Sequence, residues 1–220
     1  MSSAHSRRVD AAHRLRTPAW KRIEDLVLGI PLTVIALPFL IVVGLAIAAE
    51  SGGPVFYVDE RIGAGGRPFR MIKFRTMVHG AVGQGMGRLV ASSDSRITRV
   101  GTALRRWSAD ELPQILNVLR GDMSIVGPRP TYAEQVARYT ERHRGRLRAK
   151  PGITGLAQVS GRNDLSWRER IELDLAYVER LSPWLDLWVL LRTPITVLRG
   201  VGLYGTSGVT PDYDEQQPPA

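Results

Sequence analysis

The chain has no cysteine among its 220 residues. That excludes a disulfide framework and any thiolate chemistry, and it is compatible with the cytoplasm. Histidine is nearly as scarce. Four are present, at positions 5, 13, 79 and 143, and they form no visible metal cluster. No internal repeat is visible. Acid is in short supply, with 21 Asp and Glu against 30 Lys and Arg. The net charge of +9 and a pI near 10.6 call for an anionic partner. Nucleic acid, an anionic membrane surface and phosphorylated substrates all qualify. The length suits one domain, or one domain plus an anchor.

Long apolar runs are absent too, with one exception. Leu26 to Ala49 runs 24 residues without a charge, and about 20 suffice to cross a bilayer core. Three readings compete. A signal peptide would be helped by Ala46-Ile47-Ala48, but its apolar region usually has roughly 7–15 residues. A plain spanning helix is the second. The third is a helix that enters the membrane, breaks at Pro38 and returns. Basic residues crowd both flanks, from Arg7 to Arg22 and from Arg61 to Arg75. Positive flanks favour the cytoplasm. One crossing cannot satisfy both flanks, whereas a re-entrant helix hinged at Pro38 can, so the re-entrant reading is favoured.

Beyond Gly52-Gly53-Pro54, Val55 to Val58 and Phe69 to Phe74 read as strands. The glycine turn of Arg61 to Arg67 joins them as a hairpin. Lys73-Phe-Arg-Thr-Met77 is either a strand end with solvated charges or a phosphate contact made by Lys73 and Arg75. Gly83-Gln-Gly-Met-Gly87 lacks the Gly-Lys-Ser/Thr ending of a phosphate loop and is discounted. A helix is expected from about Val100 to Trp107.

Ser108-Ala-Asp-Glu-Leu-Pro-Gln114 then sets Asp110 beside Glu111, with Arg105 and Arg106 before it and Arg129 after. Ser108 and Glu111 have the spacing of a capping box. A helix start that favours a carboxylate also favours a phosphate, so a structural and a functional reading are compatible. The short helix from Ile115 should end at Gly121. Pro128 and Pro130 bracket Arg129, as a rigid turn or as a fixed anion contact. Thr131 to Arg148 reads as a basic, solvated helix, and Leu156 to Val159 as a short strand. Ser166-Trp-Arg-Glu169 is a second capping box, opening a helix to about Leu181. Pro183 to Arg199 has the tryptophans and apolar face of an interfacial helix or of a buried one, broken at Pro194. The tail from Thr206 has a disordered composition.

In order, Lys73-Phe-Arg-Thr-Met77, Asp110-Glu-Leu-Pro-Gln114, Gly121-Asp-Met-Ser-Ile-Val-Gly-Pro-Arg-Pro130 and Lys150-Pro-Gly-Ile-Thr-Gly-Leu-Ala-Gln-Val-Ser-Gly-Arg-Asn163 stand behind a proline-centred apolar segment. Together they resemble the monotopic phosphoglycosyl transferases, bacterial sugar transferases that prime glycan assembly on a polyprenol carrier. The short form looks most like the galactose- or glucose-1-phosphate transferases of exopolysaccharide pathways. The resemblance implies an α+β monotopic membrane protein: a re-entrant helix over 23–50 behind a basic segment 1–22, amphipathic interfacial helices and a small α/β catalytic layer over 51–205, and a tail 206–220. It implies the inner membrane, with the catalytic part on the cytoplasmic face.

It also implies transfer of a sugar-1-phosphate from a UDP-sugar to polyprenol (undecaprenyl) phosphate, leaving UMP. Asp110 matches the nucleophile. Glu111, with Asp110, would hold Mg²⁺. Arg105, Arg129, Lys73 and Arg75 are the expected phosphate-binding cations. Leu37 stands where the family often carries serine, so the hinge at Pro38 needs other support. Membrane lipids are expected partners, nucleic acid is not, and homodimerisation stays open. A non-enzymatic scaffold of a glycan assembly complex is the alternative reading.

Overall fold

The apolar run forms the longest element of the computed structural model, which describes residues 17–81, 94–200 and 202. Helix α1, Ala19–Ser51, is 33 residues long, or about 50 Å at 1.5 Å per residue. It starts before position 23 and stays helical through Pro31 and Pro38. The expected break at Pro38 is therefore not a break in the helical backbone; the helix absorbs the lost hydrogen bond. Its buried positions, Lys21, Asp25, Gly29, Val43 and Ile47, fall on one stripe of a 3.6-residue helix. The other face is bare, from 62% exposed at Val27 to 75% at Ile35.

Both ends of α1 pack on the same globular part. At its start Arg22 donates to the carbonyls of Val118 and Leu119, at 2.6 and 2.7 Å. At its end Val43 and Ile47 cluster with Phe74 and Leu104. There the Glu50 carboxylate also accepts the backbone N–H groups of Arg99 and Val100, at 2.7 and 3.0 Å.

The expected hairpin is present and longer than read. Strands β1, Phe56–Ile62, and β2, Pro68–Phe74, pair antiparallel with Phe56 opposite Phe74. Helix α2, Arg99–Arg106, starts at Thr98, whose hydroxyl accepts the Gly101 N–H. A 3₁₀ segment, Ala109–Gln114, leads into α3, Ile115–Arg120, which Gly121 ends at φ 91°. Strand β3, Ser124–Val126, follows.

The single basic helix expected over 131–148 is three short pieces instead: α4, Ala133–Ala137, α5, Glu141–Arg144, and a 3₁₀ turn, Gly145–Arg148. Thr140 caps α5 by accepting the His143 N–H, a local bond that competes with a continuing helix. Strand β4 is Gly152–Thr154, parallel to β3. Leu156 to Val159 lies in helix α6, Leu156–Ser160, not in a strand.

The second capping box forms as read, with Ser166 and Glu169 bonding reciprocally at the start of α7, Trp167–Glu179. Helix α8, Pro183–Arg199, continues through Pro194 rather than breaking there. Its buried residues are Asp186 and Val189. Trp184, Leu187, Trp188, Leu191, Ile195 and Leu198 are exposed. The interfacial alternative for this segment is the one the packing favours. The basic start of the chain, the tail from 206 and Gly83–Gly87 lie outside the described residues.

Two packing devices place the site. The core around Met71, Ile115, Val118, Met123 and Val126 seats α3 against β2. Within it Asn117, fully buried, accepts the Ile72 N–H at 3.0 Å and donates to the Arg70 carbonyl at 2.7 Å. The second device is made of backbone alone. A Cβ on Gly152 would stand 2.1 Å from the Gly127 nitrogen, and one on Gly155 would stand 2.1 Å from the Gly127 oxygen. These glycines are required by close approach, not by a left-handed conformation.

Candidate active site

Asp110 and Glu111 occupy the first turn of the 3₁₀ segment. The capping box expected there does not form. Ser108 takes a left-handed φ of 53° and its side chain caps nothing. Instead its Oγ accepts a 2.6 Å hydrogen bond from Arg162. Arg162 is itself left-handed, at φ 55°. Among the described residues these two are the non-glycine residues with positive φ, and they are bonded to each other next to the acid pair. Strain of this sort, of order 1–3 kcal/mol per residue, persists where a site over-determines it.

Glu111 accepts a 2.8 Å charge-assisted bond from Arg129. The Asp110 carboxylate has no hydrogen bond or ion pair among the described residues, and the residue is only half-buried. Burial, then the charge of Glu111, push its carboxyl above the usual range, while Lys73, Arg105 and Arg129 pull the other way. Burial acts to raise Glu111 as well, but Arg129, Lys73 and Arg162 outweigh it and hold that carboxyl below its ordinary value. The Lys73 ammonium is lowered by burial and by the charge of Arg61, against Asp110, Glu111 and Asp59.

Arg129 is held from four directions. Gly152 N–H donates to the Pro128 carbonyl at 2.8 Å and Ile62 N–H to the Thr131 carbonyl at 2.8 Å. Arg61 reaches the Pro130 carbonyl at 3.4 Å. Arg146 reaches the Arg129 carbonyl at 2.9 Å.

Of the cations expected from sequence, Lys73, Arg105 and Arg129 act on the acid pair. Arg105 is braced by a 2.9 Å bond from its Nε to Thr76. Arg75 is elsewhere. It is buried, and its guanidinium donates to the Gly52 carbonyl and to Ser51 Oγ, capping the end of α1. Strand alternation would put Lys73 and Arg75, two residues apart, on one face, but β2 ends at Phe74, so that shared face is lost at Arg75. Arg162 takes the fourth place. Its sequence signal was an arginine inside Ser160-Gly-Arg-Asn163, a setting that gave no hint of a 54-residue reach to Ser108.

The profile of the family described as bacterial sugar transferase matches residues 16–200. The chain belongs to that family. It is 43% identical over 186 residues to the UDP-glucose:undecaprenyl-phosphate glucose-1-phosphate transferase of Caulobacter vibrioides, covering 81% of this chain and 69% of that one. It is 40% identical over 190 residues to the uncharacterized sugar transferase EpsL of Bacillus subtilis, covering 86% and 93%. Over 200 residues it is 40% identical to the exopolysaccharide production protein ExoY of Sinorhizobium fredii, covering 84% and 88%.

For a sugar transferase the arrangement is chemically coherent. A carboxylate without a partner is available as a nucleophile, and four cations around two carboxylates leave positive charge for phosphate oxygens. Among the described residues no three His, Cys, Asp or Glu gather as a metal-holding group. Asp110 and Glu111 together still fit Mg²⁺, which binds through one or two carboxylates and fills its remaining positions with water and substrate phosphate.

Proposed function

We propose that this sugar transferase moves a sugar-1-phosphate from a UDP-sugar to polyprenol (undecaprenyl) phosphate, in two displacements at Asp110. The observation that carries the reading is the unpartnered Asp110 carboxylate inside the cations Lys73, Arg105, Arg129 and Arg162. Asp110 attacks the phosphorus bonded to the sugar, the phosphoanhydride P–O bond breaks, and UMP leaves with the bridging oxygen. A polyprenol-phosphate oxygen then attacks the same phosphorus, the bond to Asp110 breaks, and the carboxylate is restored. Splitting the exchange lets a soluble donor and a lipid acceptor use the site in turn. Arg129 and Arg162 draw negative charge off the diphosphate, so that an anionic nucleophile can approach it. Bound Mg²⁺, held by Glu111 and Asp110, would add Lewis-acid charge at the phosphate oxygens.

The membrane part of the reading is supported by two bare apolar faces, on α1 and on α8. Both ends of α1 return to one globular part. These contacts support a helix that enters one leaflet without crossing it, and on this reading the acid pair works at the cytoplasmic face of the inner membrane. The relatives' names, with glucose-1-phosphate transfer and exopolysaccharide production among them, support the substrate class and the pathway type.

The test is a panel of UDP-sugars with polyprenol phosphate, scored for UMP. Release of UMP with parallel double-reciprocal lines is expected, the pattern of a covalent intermediate. UDP as product would replace this reaction with direct glycosyl transfer, and intersecting lines would replace the two displacements with one.

A further inference from the structure

Arg146 belongs to none of the groups that face the acid pair, yet its guanidinium is almost fully buried. Its Nη2 donates to the Arg129 carbonyl at 2.9 Å and to the Asp174 carboxylate on α7. Its Nη1 donates to the Tyr139 hydroxyl at 2.6 Å. That hydroxyl donates onward to Thr131 Oγ1 at 3.0 Å. One side chain thus grips residue 129 directly and residue 131 through a relay, on either side of Pro130. Asp174 is the fixed point, buried on α7, the helix that Trp167, Ile171 and Leu175 anchor by packing with Tyr139.

We infer that Arg146 is a positioning residue for Arg129: anchored on Asp174, it sets the backbone from which the Arg129 side chain reaches Glu111. The kinetic arm of this inference rests on the transferase reading; the structural arm does not. A buried ion pair could serve stability alone. Here Nη2 also donates to the loop that carries Arg129, and Nη1 reaches Thr131 of that loop through Tyr139, which is where a positioning role differs from a merely structural one. Geometry of that kind is worth orders of magnitude in rate when an angstrom is lost.

The test uses the full-length protein in detergent. Arg146→Lys keeps the charge beside Asp174, but a single ammonium cannot span three acceptors with the geometry of a guanidinium fork. Amide exchange of the peptide covering 127–132 should quicken at least about tenfold, with the hairpin β1–β2 unchanged. The kcat/KM for UMP release should fall about 10- to 100-fold. In an Arg129→Lys background the same change should add less than about threefold, because residues acting through one another are not additive.

Tyr139→Phe, which removes only the relay to Thr131, should quicken exchange in the same peptide by a smaller factor. It keeps the inference testable if Arg146→Lys does not fold. Unchanged exchange in the folded variants overturns the inference, as does full additivity with Arg129→Lys. A parent protein that releases no UMP from any UDP-sugar would instead sink the transferase reading, and the exchange arm would then judge this one alone.

Discussion

Asp110→Asn is expected to abolish UMP release, a loss of at least about 10⁴-fold, while leaving the protein no less stable than the parent. The first half follows from replacing a nucleophilic oxygen by an amide. Intact-protein mass spectrometry after incubation with UDP-sugar should show a phosphosugar adduct on the parent and none on the variant. An adduct on the Asn variant would move the nucleophile elsewhere. The second half follows from the direction of the shift at Asp110, which burial and Glu111 raise. A carboxyl whose folded-state pKa is raised is penalised in its ionised form. The penalty is present above the folded pKa and disappears as pH falls below it. At pH 8, with metal removed by EDTA, asparagine lifts that penalty, so the melting temperature should hold or rise. A clear fall would mean that Asp110 is structural.

Asp186→Ala is expected to do the opposite, leaving the acid pair untouched and unseating the apolar helix. Asp186 and Lys21 are both buried, and they pair across 165 residues. Tyr177 adds a 2.7 Å hydrogen bond to Asp186 and a 3.0 Å bond to the Val126 carbonyl. The start of α1, α7, α8 and β3 therefore meet at one carboxylate. Removing one partner of a buried pair strands the other charge and costs about 3–5 kcal/mol, a large part of a typical domain stability of about 5–15 kcal/mol. Lys21→Met should cost a similar amount. The double variant Lys21→Met/Asp186→Leu should recover part of it, since neither member of the pair is then left alone, while Glu24, 3.6 Å from Lys21, still loses its cation. Thermal unfolding in detergent measures all three. Single variants within about 1 kcal/mol of the parent would show that the pair carries little, as exposed pairs do.

What could be read from the residues, and what could not, divides by distance along the chain. The hairpin, a helix beginning near Val100, the stop at Gly121 and the box at Ser166 depend on neighbours within a few positions, and they form close to where the pattern puts them. The acid pair and three of its cations were legible because a motif places them. Arg75 was misread for the same local reason: its proximity to Lys73 in sequence says nothing of which way it turns once β2 has ended. Arg162, Arg146 and Asp186 were invisible because each gains its role from a partner 54, 28 or 165 residues away. The supposed capping box at Ser108 failed to an interaction of that kind. The bond from Arg162 holds Ser108 outside the conformation a cap needs.

The contact of Gly127 with Gly152 and Gly155 has a consequence for how this enzyme can change over generations. Where side chains meet, a bulkier neighbour can be forgiven by trimming the one opposite. Here main chain meets main chain at a little over 2 Å from any added carbon, and there is nothing opposite to trim. A lost glycine at these positions leaves compensation elsewhere with no purchase, so drift is closed to a strip of chain that contributes no side chain of its own.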